Sequence, residues 1–187
     1  GIFNFIQFMY TADIKPIERK FLPNGFTITT WEHLEKYFIQ LLEKKIDSKQ
    51  DLEQWLKDSS ELEAVISEDA CWRQVRMTCD TENKQLEEAF NYFYMEIAPK
   101  MQPYADKLNR KLVACPFTQD LDADKYFTYL RSIKKSIDLF REENIPIMAE
   151  LNVMQQQFGQ IAGKMMIEVN GKEYTLQQAG KFLENPD

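Results

Sequence analysis

The stretch WEHLEKYFIQLLEKKIDSKQDLEQWLKDSSELEAVISEDACWRQVRM, residues 31–77, decides the fold. In its first part Leu34, Phe38, Leu41 and Leu42 recur at the spacing that puts side chains on one face of an α-helix. Thr29 and Glu32 stand three residues apart, the spacing of a capping box, in which each side chain satisfies a free backbone N–H at a helix start. A helix is therefore expected over Trp31–Ile46. Ser48 suits the start of the next helix, with Asp51 in a first turn where the dipole favours an anion. That second helix either runs unbroken to Met77 or restarts at Ser60.

The same reading extends down the chain. Thr81 is suited to cap a third helix, whose apolar stripe is Leu86, Ala89, Phe90, Phe93, Tyr94 and Ile97. Pro99 and Pro103 should bend or interrupt it, because proline lacks the donor and clashes with the preceding turn. A short helix to Val113 follows, and Cys115-Pro116-Phe117 reads as a loop. A fourth helix is expected from about Asp124, with Phe127, Leu130, Ile133, Ile137 and Phe140 on its packed face. Pro146 marks a break or a new first turn. A fifth helix carries Ile147, Leu151, Met154, Phe158 and Ile161, and its Gly159 and Gly163, one turn apart, would permit another element to approach closely.

The pattern then changes to a β-hairpin. Met165–Val169 and Lys172–Thr175 flank Asn170-Gly171, a pair suited to a type I′ turn. Thr175 and Gln178 repeat the capping-box spacing, and Leu176, Ala179, Phe182 and Leu183 form the apolar face of a last helix. The expected fold is mainly α: an antiparallel bundle of long helices with one small β-hairpin near the C-terminus. Residues 1–18 form an atypical N-terminal segment, a packed helix or strand. Residues 19–164 form a helical lobe, and residues 165–187 the hairpin and the start of a helix leading onward.

Length and composition set bounds. The 187 residues suit one domain, since domains run roughly 100–200 residues. An aromatic fraction of 13% within a hydrophobic fraction of 44% calls for a packed interior. The net charge of -7 argues against nucleic acid, whose phosphates need a basic face, and against an anionic membrane surface. Cys71, Cys79 and Cys115 are odd in number and form no C-x-x-C. On one helix Cys71 and Cys79 would lie about 12 Å apart, beyond the roughly 7 Å a disulfide spans. Reduced thiols point to the cytoplasm. The apolar opening Gly1–Tyr10 lacks the basic start of a signal peptide and is too short to span a bilayer.

Residue chemistry names no catalytic and no metal site. The single histidine, His33, sits in a first helical turn and reads as a surface or capping residue. Asp120, Asp122 and Asp124 alternate as in half a calcium loop. Lys125 and Arg131 occupy the places where that loop needs glycine and glutamate, so the acidic run reads as a helix cap. The pairs Glu61/Glu63 and Glu142/Glu143 read as solvated helix faces. Phe90, Phe93 and Tyr94 keep helical spacing and read as core, whereas Tyr92 points elsewhere and is the better candidate for a peptide groove. Trp72, Arg73 and Arg76 are placed to form a polar network with Glu68 or Asp80.

Several strings in order carry more specific information: Arg19-Lys20-Phe21-Leu22-Pro23, Ser60-Glu61-Leu62-Glu63-Ala64-Val65 on to Trp72, and Arg76-Met77-Thr78-Cys79-Asp80-Thr81. Phe140-Arg141-Glu142-Glu143-Asn144-Ile145-Pro146, Val169-Asn170-Gly171-Lys172-Glu173 and Leu176-Gln177-Gln178-Ala179-Gly180-Lys181 continue the series. From Arg19 to Asp187 the chain resembles the N-terminal part of oligoendopeptidase F and its relatives among the thimet-oligopeptidase-like zinc metallopeptidases. The resemblance implies a helical lobe that helps wall a channel admitting short peptides. It implies zinc held by H-E-x-x-H and a later glutamate, with the motif glutamate as general base.

No H-E-x-x-H occurs in these 187 residues, so the resemblance transfers no catalytic, zinc-binding or channel-facing residue. It implies a catalytic domain of the same polypeptide as partner, zinc within that domain, short peptides as substrates of the whole, and no activity for this piece alone. The other reading is a stand-alone helical module that binds proteins or peptides without catalysis. An apolar patch around Leu176–Leu183 would suit a severed interface, and a second copy of the chain could also cover it.

Overall fold

Ser48 caps the longest helix, its hydroxyl accepting from the Asp51 N–H at 3.1 Å while donating to the Asp51 carboxylate at 2.8 Å. From there the chain runs as one 31-residue helix, Lys49–Cys79, about 46 Å long at 1.5 Å per residue. Ser60 does not restart it. The computed structural model describes residues 18–184, so the apolar stretch Gly1–Tyr10 lies outside the described residues.

The described elements are α1 (Trp31–Glu43), α2 (Lys49–Cys79), α3 (Lys84–Tyr92), a π-helical turn (Phe93–Ile97), α4 (Ala98–Ala114), a 3-10 turn (Pro116–Asp120), α5 (Ala123–Leu139) and α6 (Asn144–Lys164). Strands β1 (Met166–Val169) and β2 (Lys172–Thr175) follow, then α7 (Leu176–Gly180) and a closing 3-10 turn (Lys181–Leu183). Helix α4 is central, packing against α1, α5 and α6. The expected mainly helical bundle with a small hairpin is what forms. Among the described residues no helix is long and apolar enough to cross a membrane.

The core gathers Leu34, Leu41, Leu52, Trp55, Leu62, Ile97 and Leu112, all fully buried. Here α1 ends inside the protein, and its last carbonyls need donors that the helix cannot supply. Trp55 Nε1 of α2 donates to the Leu41 carbonyl at 2.9 Å. Lys111 Nζ of α4 donates to the carbonyls of Leu41, Leu42 and Lys44 at 2.9, 2.7 and 2.6 Å. A cation at a helix C-terminus also opposes the dipole. This seam ends α1 at Glu43 rather than at Ile46. Lys44 leaves the helix and pairs with buried Asp58 at 2.6 Å, and Gln54 donates to the same carboxylate at 2.8 Å.

Two side chains hold the segment that precedes α1. Glu61 accepts from the backbone N–H groups of Lys20, Phe21 and Leu22 at 2.9, 3.1 and 2.7 Å. It is an anchor, and the expectation of a solvated carboxylate there is corrected. Arg73 donates to Asp69 at 2.6 Å and to the carbonyls of Ala89 and Ile28 at 2.9 Å each, with its guanidinium 5.5 Å from the Phe93 ring. It thereby joins α2, α3, the π-helical turn and the chain entering α1. Its acidic partner is Asp69, not Glu68 or Asp80. Glu68 lies 3.9 Å from Arg19, and Arg76 stands over the Trp72 ring.

Several expected boundaries shift for identifiable reasons. Thr29 makes no capping box. Thr30 precedes α1 without a side-chain cap, and the Thr29 hydroxyl is bound to His33 Nδ1 at 2.6 Å. Asn83, not Thr81, caps α3, because its Oδ1 accepts from both Gln85 and Leu86. Pro99 and Pro103 do not break the helix. The chain widens at Phe93–Ile97, where the Ala98 N–H reaches back five residues to the Phe93 carbonyl. Such a turn absorbs the register change that a proline would otherwise impose as a break. On α5 it is Tyr126 that packs with Leu130 and Ile133 on the core, while Phe127 is exposed.

The largest departure is on α6. Ala149 and Gln156 are its buried residues, with Asn152 and Val153 half-buried between them. Ile147, Leu151, Met154, Phe158 and Ile161, expected as its packed face, are all exposed. Beyond α6 the hairpin forms with Ile167 opposite Tyr174. Asn170 and Gly171 take φ of 53° and 75°, as the type I′ turn requires. The Thr175–Gln178 capping box also forms. Tyr174 meets Phe182 edge-to-face at 5.0 Å, so the hairpin's aromatic contact is with the turn that follows it.

Two predictions follow from this packing. Lys111→Met should destabilise the chain by about 1–3 kcal/mol, the cost of buried acceptors losing their donor. Burial holds the Lys111 ammonium below the ordinary lysine range. Between that lowered value and the unfolded value the unfolded chain carries more protons, so stability contributed by this residue rises with pH through the window. Measured by urea unfolding, the change in stability from pH 8 to pH 10.5 should be more favourable in the parent than in the variant. Separately, Glu61→Ala should release residues 20–22 and speed tryptic cleavage at Arg19 and Lys20 several-fold under native conditions. An unchanged cleavage rate would show that other contacts hold the segment.

Candidate functional site

The residues nominated by the sequence do not converge. His33 is exposed on α1. Cys71 and Cys79 are exposed on α2, Cys115 is half-buried, and all three are free. Asp122 caps α5, its Oδ1 accepting from the Asp124 N–H at 3.0 Å, as the helix-cap reading of the acidic run requires. Glu142 and Glu143 are exposed just ahead of α6. Phe90 and Phe93 are core residues, Tyr94 packs on both rings at 4.5 and 5.3 Å, and Tyr92 is exposed.

A cleft of about 950 Å³ lies between the segment 18–20, the middle of α2 and the start of α5. Sequence reading did not nominate it, since it joins residues as far apart as Glu18 and Tyr129. Glu53, Lys57, Glu63 and Glu68 of α2 and Lys125 of α5 line it, with Leu56 and Val65 in its wall. Burial, and then the charge of Glu63, raise the Tyr129 phenol above its ordinary range, so it keeps its proton at neutral pH. Two of the carboxylates are already engaged: Glu61 by three backbone donors and Asp58 by Lys44 and Gln54. No histidine or cysteine lines the cleft. Its lining residues include no nucleophile–base pair of the kind that breaks a bond.

The second surface is apolar. Ile147, Leu151, Met154, Phe158 and Ile161 are spaced as one stripe along α6, and Phe158 is 72% exposed. Met165, Met166 and Ile167, where α6 gives way to β1, are also exposed, and Leu183 beyond α7 is 90% exposed. The exposed residues expected around Leu176–Leu183 are thus accompanied by a longer row that was expected to be core. Scattered exposed side chains are ordinary, whereas a contiguous row of this kind marks an interaction surface.

The family resemblance raises the question of zinc. Among the described residues no three His, Cys, Asp or Glu side chains come together in a way that could hold a metal ion. With a single histidine, bound to Thr29, the residues present do not fit a zinc site of the two-histidine type, and no chemical step is assigned to one here.

Comparison with known proteins supplies the remaining evidence. The Peptidase M3 N-terminal domain family matches residues 21–140, from within the Glu61-anchored segment to the end of α5. No curated protein and no solved structure matches the chain. The match covers well over half of the sequence and the whole of the packed core seam. The chain belongs to the Peptidase M3 N-terminal domain family.

Proposed function

We propose that this chain is the N-terminal, channel-walling portion of a zinc-dependent oligopeptidase of the oligoendopeptidase F type, acting on short peptides in the cytoplasm. The family match over residues 21–140 carries the reading. The apolar row on α6 supports it, because it begins just past the matched region and is built like half of an interface. In this reading a catalytic domain of the same polypeptide covers that row and brings the zinc and its ligands. The helical lobe contributes shape. A channel wall selects peptides by size and holds them for chemistry performed elsewhere, which lowers the entropic part of the barrier. A stand-alone interaction module is the competing reading, and it would use the same exposed row for a different partner.

The test compares the 187-residue chain with the longer product of its reading frame on a quenched fluorescent peptide of about eight residues. The chain alone should give no hydrolysis above background. The longer product should hydrolyse the peptide and lose that activity to a chelator. Chelator-sensitive hydrolysis by the isolated chain would overturn the division of labour, and a reading frame without H-E-x-x-H would favour the interaction module. A second expectation concerns the row itself. Phe158→Ser with Leu151→Ser should leave the isolated chain within about 0.5 kcal/mol of its parent, as exposed substitutions do. In the longer product the same pair should lower the melting temperature by several degrees.

A further inference from the structure

Helix α6 meets the bundle with small and polar residues. Ala149 and Gln156 are buried, and a Cβ placed on Gly163 would stand 3.8 Å from the Thr81 side chain. The close approach expected of the two glycines therefore holds at Gly163, whereas a Cβ on Gly159 would meet nothing within 4 Å. Ala149, Gln156 and Gly163 recur every seven residues and share one face of the helix.

The large apolar residues take the other face in a strict order. Ile147, Leu151, Met154, Phe158 and Ile161 follow one another at alternating intervals of four and three, and Met165 stands four further on, where the helix ends. These are the a and d positions of a heptad, and Ala149, Gln156 and Gly163 are then its f positions, on the side away from the seam. All six apolar residues are between 46% and 72% exposed. The flanks are mostly polar: Glu150, Gln157 and Lys164 at g, Met148, Gln155 and Ala162 at e. An apolar stripe confined to a and d is the seam that a second helix fills.

The charges on α6 select the occupant. Glu150 and Lys164 are its only charged residues, so the helix carries no net charge in a chain of net charge -7. Neither takes part in an ion pair among the described residues. A second copy of α6 laid antiparallel can set Leu151 opposite Ile161, Met154 opposite Phe158 and Ile147 opposite Met165, each contact occurring twice. In antiparallel pairs the g positions of the two helices adjoin, and this register puts Glu150 beside the second copy's Lys164, also twice. A parallel copy would put Glu150 beside Gln155 and leave both charges unpaired.

We propose that α6 is a self-complementary coiled-coil seam, filled by an antiparallel second copy of this chain about a two-fold axis when no catalytic domain covers it. The inference goes beyond the peptidase reading, since hydrolysis by the longer product does not depend on it. One helix from each copy makes a modest interface, so association in the micromolar range is expected. Association adds stability by mass action, and the stability comparison of Phe158→Ser with Leu151→Ser above therefore applies below that range.

The test is sedimentation velocity of the 187-residue chain at low salt, from sub-micromolar to several hundred micromolar. Monomer should give way to dimer and to nothing larger. Phe158→Ser with Leu151→Ser should abolish the dimer. Glu150→Lys and Lys164→Glu, each alone, set like charges together and should weaken it about threefold or more. Both positions are exposed, so these variants keep the fold. An equal mixture of the two restores every opposite-charge contact, and should form a mixed dimer about threefold or more tighter than either variant forms with itself. A chain that stays monomeric throughout would overturn the proposal and leave the row to the catalytic domain. A dimer undiminished by the two serines, assembly beyond the dimer, or no gain on mixing the charge variants would overturn it as well.

Discussion

The carbonyl of Leu41 accepts from two donors, the Trp55 indole and the Lys111 ammonium, and these come from two different helices. A helix that ends inside a protein leaves acceptors without partners, and water cannot reach them. Satisfying them from α2 and α4 together fixes three helices at one point. Leu34, Leu52 and Leu112 then close around that point, and the position of α4 sets where α5 and α6 can lie. The seam is specific in a way that apolar contact is not. Leucines tolerate sliding, whereas three carbonyls converging on one Nζ do not.

A second constraint acts further along α2. Arg73 holds Asp69 and two carbonyls from distant parts of the chain, and Glu61 holds three consecutive amides. Both sit on α2, so the long helix serves as a spine that carries the preceding segment on its charged side chains. Their importance lies in backbone groups that would otherwise be half-buried and unpaired. In the sequence Glu61 reads as a solvated charge and Arg73 as part of a network with Glu68 or Asp80, because their main-chain partners lie up to 45 positions away.

That distinction explains how much was legible. The helices at Trp31, Ser48 and Asp122, the Asn170-Gly171 turn and the Thr175–Gln178 box depend on neighbours within four residues, and most of them formed as the sequence indicates. Local caps failed where a nearby side chain competed, as when Thr29 bonded His33 and Asn83 took the place of Thr81. Pro99 misled because a widened turn just before it accommodates it, and Pro103 lies inside α4 without ending it. The packed face of α6 was not legible at all. Periodicity reports that a helix has two faces, but not that Ala149 and Gln156 would be turned inward and the larger residues outward. The charged cleft was equally hidden, since it joins segments that no spacing rule connects.

The outward row of α6 has a consequence for how this sequence can drift. Large apolar side chains in a core are retained because losing them unfolds the protein. Ile147, Leu151, Met154, Phe158 and Ile161 have no such protection, since the bundle closes without them. Mutation should wear such a row down to lysine and glutamate within a modest evolutionary time unless something outside the bundle penalises the change. Among related sequences, the substitution pattern at these five positions would therefore record the demands of whatever lies against them, while the pattern at Leu41 and Trp55 records the demands of folding.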